Sequence, residues 1–304
     1  MPARVSAVIP CKDRLNLLDR ALTSIAAQTV PPDEIVVVDD GSDPPLTLAR
    51  DYPTPIILIR QSNRGPAAAR NRGIDRASGE WIALLDCDDT WMPEKTDYQL
   101  DLLSRHEQAG FCVSNMVTHG RPSVSFPLAP SSGAPEGLIP DALERLLPGR
   151  FINTSGVMFR REAFYRAGAF DEDLWYCEDY DLWMRLAAVT PVVATTKCLS
   201  DVYVEGDNHL GAIEGKPVSV EIIASIFEKL MISPLLDTRT REQAADLLGH
   251  KLFDLAYTYR KHGQPLACCR ASFKSLLHHG PLKANLKNFV LCWPDLLLRL
   301  TQSR

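Results

Sequence analysis

In the first part of the chain, short apolar runs alternate with segments of helical spacing, and two of the runs end in clustered aspartates. Val5–Pro10 is the first run. Leu15, Leu18, Leu22 and Ile25 then recur at helical spacing, to about Gln28. Glu34–Asp39 is β-branched and ends in acids, and Pro55–Arg60 is another strand. Gly65-Pro66 opens an alanine-rich helix, with the proline placed in the first turn where its missing N–H costs nothing. Trp81–Asp86 is a further apolar strand ending in a carboxylate. This alternation predicts βαβ units and an α/β fold with a mostly parallel central sheet. Ligands of such sheets bind beyond the carboxyl ends of the strands, so both acid clusters are expected at one functional edge.

Gly120 to Gly137 is rich in Pro, Ser and Gly and reads as an irregular excursion. Strand and helix signals resume at Phe151–Phe159 and Glu178–Ala188. After about residue 217 the strand signals fade, and 218–232, 238–262 and 264–278 read as consecutive amphipathic helices broken by Ser233-Pro234, Gly263 and Gly280-Pro281. A boundary is therefore expected near 215, with 1–215 as the α/β domain and 216–304 as a helical C-terminal extension. No run approaches the ~18 apolar residues of a membrane-spanning helix. Val5–Pro10 is too short for the apolar core of a signal peptide, which makes a cytoplasmic location the expectation. The eight cysteines are scattered, with no CxxC pair or Cys/His ligand spacing. Reduced, mostly buried thiols are expected rather than disulfides or zinc.

Asp86-Cys-Asp-Asp89 is the sharpest local feature. Three carboxylates within four residues repel one another unless positive charge sits among them. Mg²⁺ or Mn²⁺ suits a strand end that offers few ligands, because water and a substrate diphosphate complete the shell. The competing reading is a solvated turn or a cap for the helix after Pro93. Asp39-Asp40-Gly41-Ser42 is ordinary turn chemistry, or a carboxylate that accepts from a base or ribose. Arg64 precedes a helix and Arg70 and Arg72 lie within it, a placement suited to a diphosphate or to a solvated surface. Glu178, Asp179 and Asp181 begin a helix, where the dipole favours acids, and one of them could instead be a general base. Trp91 and Trp183 are core or acceptor-stacking residues, and His209 is a candidate late metal ligand or an ordinary loop histidine.

Taken together, these segments resemble the family 2 glycosyltransferases of GT-A fold. The matching pieces are Val8-Ile-Pro10, Val36-Val-Val-Asp-Asp-Gly-Ser42, Ala67-Ala-Ala-Arg-Asn-Arg-Gly73, Leu85-Asp-Cys-Asp-Asp89 with Trp91 and Pro93, Arg160-Arg161 with Gly168-Ala-Phe-Asp171, and Glu178-Asp179-Tyr-Asp181-Leu182. They occur in the family's order across about residues 4–205. The resemblance implies a nucleotide-sugar half of about 1–110 and an acceptor half of about 111–215. It implies that Asp39 meets the nucleobase and that Pro10, Asp13 and Arg70 line the nucleotide pocket. Asp86 and Asp88 match the ends of the DxD motif, which implies a Mn²⁺ or Mg²⁺ ion held through the donor diphosphate, with Asp88 its direct ligand. Asp89 would support the ribose, metal or acceptor side, and Trp91 the acceptor. Asp179, with Glu178 beside it, matches the catalytic base of an inverting transfer from a nucleotide-diphosphate sugar, UDP favoured, to a glycan or lipid-linked acceptor. Where the family often shows Arg-x-His, this chain has Val204-Glu-Gly-Asp-Asn-His209, a departure that weakens the case for His209.

Two other classes compete. A nucleotide-dependent methyltransferase wants a glycine-rich turn after its first strand, and Ile9-Pro-Cys-Lys-Asp13 offers none. A non-catalytic binding relative would have lost Asp88 or Asp179, and both are present. The net charge of −5 is unevenly spread: residues 255–304 hold eight Lys/Arg against Asp295, a balance of +7, leaving −12 for the remainder. An acidic body does not point to nucleic acid as a partner. The lysines, leucines, Phe289 and Trp293 of 282–304 suit either a helix docked on the protein or peripheral contact with an anionic membrane, such as the cytoplasmic face of an inner membrane.

Overall fold

The computed structural model describes residues 4–48, 50–120, 126–130, 133–148, 152–204 and 216–302, with side chains described as far as Cys292. The chain divides into two units, Met1–Gly206 and Asp207–Arg304. The boundary expected near 215 and the candidate ligand His209 both fall in 205–215, outside the described residues.

The first unit is built on β1 (Val5–Cys11), β2 (Glu34–Asp40), β3 (Ile56–Gln61), β4 (Trp81–Leu84), β5 (Thr90–Trp91), β6 (Phe111–His119), β7 (Glu136–Leu138), β8 (Val157–Arg160) and β9 (Val192–Tyr203). They form one sheet in the order β3-β2-β1-β4-β8-β6-β9-β5, with β7 added on β9. Strands β1 to β4 pair in parallel, as do β6 and β9, while β8 runs antiparallel between β4 and β6. The sheet is thus mixed and mostly parallel, the GT-A-like arrangement. Six strands end at one edge, at Cys11, Asp40, Gln61, Leu84, His119 and Tyr203.

Helices α1 (Leu15–Ala26), α2 (Gly65–Arg76), α3 (Lys95–Ser104), α4 (Ala142–Leu146), α5 (Arg161–Ala167) and α6 (Glu178–Val189) flank the sheet. Leu18, Ala21, Leu22 and Ile25 are the buried face of α1, the spacing that the sequence carries. Helix α2 lies so close to the sheet that a Cβ on Gly73 would clash with Val8 Cγ1. The Ala67–Ala69 run and Gly73 are what allow that approach.

The second unit is helical: α7 (Pro217–Ile232), α8 (Thr238–Lys261), α9 (Pro265–Leu277) and α10 (Leu282–Gln302). Asp237 caps α8 by accepting from Thr240 N at 2.7 Å. Among the described residues no helix is long and apolar enough to cross a membrane. All eight cysteines are free thiols, six of them buried.

Candidate active site

The turns that leave the sheet edge dictate the site. Gly41 takes a left-handed backbone (φ +80°), and a Cβ there would meet Asn63 N at 2.7 Å. The tight turn folds Asp39 inward, where its Oδ1 accepts from Ser42 N at 2.8 Å and its Oδ2 from Leu46 N at 3.1 Å. Burial alone would raise this carboxyl, but those hydrogen bonds, with Arg60 nearby, hold it below its usual range. Asp40 caps α2, accepting from Arg64 N and Gly65 N, each at 2.9 Å.

Past β4 the acids separate by role. Asp86 and Asp88 are partly open to solvent, with side chains 29% and 19% exposed, whereas Asp89 is buried. Ser155, in the 3-10 turn Thr154–Gly156, fixes this loop: its hydroxyl donates to Asp89 Oδ2 at 2.6 Å and accepts from Asp86 N at 3.1 Å. Tyr203 N donates to Asp89 Oδ1 at 3.3 Å. Burial and the negative charges of Asp86 and Asp88 push the Asp89 carboxyl up to about 8. Removing the hydroxyl with Ser155→Ala is expected to cost about 1–3 kcal/mol, because two buried polar groups lose a partner. Urea unfolding checks this, and an unchanged midpoint would show that Ser155 does not hold this loop.

Helix α6 brings three acids, and each is placed differently. Asp181 pairs with Arg185 one turn on, Nε donating at 3.0 Å, and is structural. Glu178 is buried against Arg70, whose Nη1 donates to it at 2.7 Å. Asp179 is half-buried, with Oδ1 accepting from Tyr180 N at 2.7 Å. Burial and the adjacent Glu178 push its carboxyl up to about 7, against the opposing pull of Arg70. That is the range for a proton acceptor working near neutral pH.

Arg70 joins the two acid groups. Its Nη2 donates to Asp86 Oδ1 at 2.7 Å while its Nη1 holds Glu178, and its guanidinium lies 5.5 Å from the Phe170 ring centroid. Asn71 beside it bonds both ways with Phe170, donating to O and accepting from N at 2.9 Å, and also donates to Glu172. Arg64 pairs with Glu172 as well. The Arg-Asn segment of α2 thus clips the loop before α6 to the aspartate loop after β4.

The side chains expected at the donor and acceptor have these surroundings. Asp39, expected at the nucleobase, has a side chain 2% exposed, with one turn N–H donating to each of its oxygens. Arg70, expected to line the nucleotide pocket, is buried between the carboxylates of Asp86 and Glu178. Asp89, expected on the ribose, metal or acceptor side, accepts from Ser155 and Tyr203. Trp91 is core: it is 3% exposed, its Nε1 donates to Ser155 O at 3.0 Å, and Lys95 Nζ lies 4.3 Å from its ring centroid. Trp183 is likewise buried, stacked on Phe111 at 5.4 Å. Pro10 is half-buried at the end of β1. Asp13 is half-exposed in the next turn, its Oδ1 accepting from Asp43 N and its own N–H donating to Ser42 Oγ, both at 2.9 Å.

Besides Arg70, the guanidinium groups beside Asp86 and Asp88 come from Arg14 and Arg20, for which the sequence pattern gives no site signal. Arg14 pairs with Asp88 Oδ2, and Arg20 donates to the Asp88 carbonyl while stacking 3.9 Å from the Tyr203 ring centroid. Tyr203 stacks in turn on His119, whose Nε2 lies 2.7 Å from Asp201 Oδ1. The only sequence signal for Arg14 was its position in the turn after β1, at the catalytic edge.

Among the described residues no three His, Cys, Asp or Glu side chains converge as a metal cage. Asp86 and Asp88 fit a hard cation that takes its other ligands from a bound diphosphate and water.

The profile of glycosyl transferase family 2 matches residues 6–167. Among curated relatives, a protein of Rickettsia typhi described as an uncharacterized glycosyltransferase is 30% identical over 195 residues, 62% of this chain and 60% of its own. A Haemophilus influenzae protein of the same description is 28% identical over 187 residues, 60% of this chain and 61% of its own. The chain thus spans about three fifths of the length of these relatives. Bacillus subtilis YwdF, also described as an uncharacterized glycosyltransferase, is 30% identical over 218 residues, 70% of this chain and 80% of its own. Among solved structures, S. aureus TarS 1–349 in complex with UDP-GlcNAc superposes with a TM-score of 0.72 at 16% identity, covering 94% of this chain and 89% of that one.

Proposed function

The chain belongs to glycosyl transferase family 2, and on that premise we propose that it transfers a sugar, with inversion, from a nucleotide-diphosphate sugar to an acceptor hydroxyl. The observation that carries this reading is the Asp86–Arg70–Glu178 bridge, with Asp179 next to it raised towards neutrality. One buried guanidinium fixes the spacing between the acids that would meet the donor and the acid that would take a proton.

Asp86 and Asp88 would hold Mn²⁺ or Mg²⁺, which when bound supplies positive charge to the departing diphosphate. Arg14 neutralises Asp88 until the donor arrives and can then turn to the phosphates. Pro10 and Asp13 would line the mouth of a nucleoside pocket beside β1. Asp179 accepts the proton of the acceptor hydroxyl as its oxygen bonds to the anomeric carbon, and the nucleoside diphosphate leaves with the electrons of the broken C–O bond. Glu178, held by Arg70, keeps the start of α6 in place and raises the basicity of its neighbour. UDP remains the favoured nucleotide, and the TarS fold neighbour solved with UDP-GlcNAc supports that choice. A glycan or lipid-linked acceptor, in cell-surface polysaccharide or glycoconjugate synthesis on the cytoplasmic side, completes the reading.

A thermal-shift and hydrolysis screen of nucleotide sugars with Mn²⁺ and with Mg²⁺ tests it. UDP-sugars should raise the midpoint and release UDP only with metal present. Asp88→Ala should abolish that metal-dependent shift. A shift that is equal with and without metal would remove the proposed role of Asp86 and Asp88.

The proton step also sets a pH profile. The base works unprotonated, so with a carboxyl near 7 it is mostly inactive at pH 6 and mostly active at pH 8. Turnover is expected to rise with a slope of one through an apparent pKa near 7. A rate that is flat between about pH 5 and 8, as a base with the unperturbed aspartate pKa of about 4 would give, would exclude a base raised to about 7.

A further inference from the structure

Helices α9 and α10 carry an unusual surface. On α9, Leu266, Phe273 and Leu277 are exposed, Phe273 by 59% and Leu277 by 63%. At about 100° per residue these three fall within about 40° of one another, so they form one row. On α10, Leu282, Leu286 and Val290 are exposed at four-residue spacing, Val290 by 71%. The two rows sit on consecutive helices joined by the short turn His278–Pro281.

The inner faces of the same helices are committed elsewhere. Cys268, Ala271, Ser272 and Ser275 of α9 are buried, as are Asn285, Asn288 and Cys292 of α10. Asn285 Nδ2 donates to Ser275 Oγ at 2.9 Å, and Ser275 Oγ donates to Gly249 O of α8 at 2.6 Å. These contacts use the polar and small residues, and the large aliphatic ones point away from them. A core helix would show the reverse.

Charge gives the apolar rows a direction. Arg270 and Lys274 stand beside the α9 row, and Lys283 and Lys287 beside the α10 row, all exposed. From Pro265 to Cys292 there is no Asp or Glu. Three acids of neighbouring helices come near: Glu221 lines a groove with Leu266, Arg270 and Lys274, Glu228 lies 3.6 Å from Lys274, and Asp246 lies 2.9 Å from His279, the last two as solvent-exposed pairs of little energetic weight. We propose that the apolar rows of α9 and α10 seat on an anionic lipid surface, entering the headgroup boundary while the basic residues beside them meet lipid phosphates. A second copy of the same face is disfavoured as the occupant, since like-charged rows would oppose each other. The inference extends the expected contact of 282–304 to α9, and it stands independently of the transferase chemistry.

Flotation of the full chain with phosphatidylcholine vesicles, with and without an equal part of phosphatidylglycerol, tests it. The chain should float with the anionic vesicles, remain behind with neutral ones, and be released by high salt. Phe273→Glu combined with Leu286→Glu should abolish flotation. Lys283→Glu combined with Lys287→Glu should lower the partition coefficient by about tenfold or more. The second pair removes no apolar packing, so it decides the matter should the first pair lower the thermal midpoint. Flotation that is absent, or that is indifferent to Lys283 and Lys287, would overturn the proposal. So would a dimer in sedimentation velocity that Phe273→Glu dissociates, which would assign the face to a second copy. Nucleotide binding measured on the same variants should be unchanged, which separates this outcome from any failure of the transferase reading.

Discussion

Asp179→Asn is expected to lower turnover about 10²–10⁴-fold while leaving the nucleotide dissociation constant nearly unchanged. The amide fills the same space and can still accept from Tyr180 N, but it cannot take a proton. The same substitution should stabilise the fold. The carboxyl of Asp179 is raised in the folded state, so the folded chain holds its proton more tightly than the unfolded chain does. That contribution favours folding below about pH 4 and is lost as pH rises through about 7. Replacing the carboxylate by an amide removes the loss. Asp179→Asn should therefore melt a few degrees above the wild type at pH 8, with the gap closing in acid. Full transfer activity in this variant would assign the base to another group, and Glu178 would be the first to examine.

Arg70→Met should destabilise the first unit by about 3–5 kcal/mol and abolish transfer. The guanidinium is almost fully buried, and without it Glu178 and Asp86 face each other with no positive charge between them. Arg70→Lys should not rescue activity, because one ammonium cannot hold two separated carboxylates with the geometry of a planar fork. Adding Glu178→Gln to Arg70→Met should restore much of the stability and none of the catalysis. Urea denaturation of the three variants reads the first effect, and product release reads the second. A stable Arg70→Met with normal turnover would show that the bridge does not organise the site.

The elements of this fold that were legible in the sequence are those whose signal is local. The parallel strands β1 to β4 announce themselves by β-branched runs, α1 by its buried stripe, and α2 by Gly65-Pro66 and its alanines. Strands β6 and β9 went unread, although they are the two longest. Their residues, such as Ser114-Asn115 and Thr195-Thr196-Lys197, mix polar and apolar without strict alternation, and the register between them shifts near Asn115. Long-range pairing supplies what local pattern lacks.

The candidate site divides the same way. Which acids gather at the sheet edge could be read from strand ends. Which acids stay open could not, because that depends on distant partners. Asp39 and Asp40 are occupied by turn N–H groups, Asp89 by Ser155 sixty-six residues away, and Asp181 by Arg185. Arg70 is expected at the nucleotide from its place in α2, and the fold buries it between Asp86 and Glu178. Arg14 and Arg20 carry no such signal in the sequence, and folding brings them to Asp88.

Calorimetric titration of UDP into the full chain, with and without Mn²⁺, tests the proposed chemistry most directly. Saturable binding that requires the metal, and that Asp88→Ala removes while Asp179→Asn keeps, is the expected result. Absence of UDP and of other nucleoside diphosphate binding in the presence of Mn²⁺ or Mg²⁺, by a chain that is folded, would contradict it.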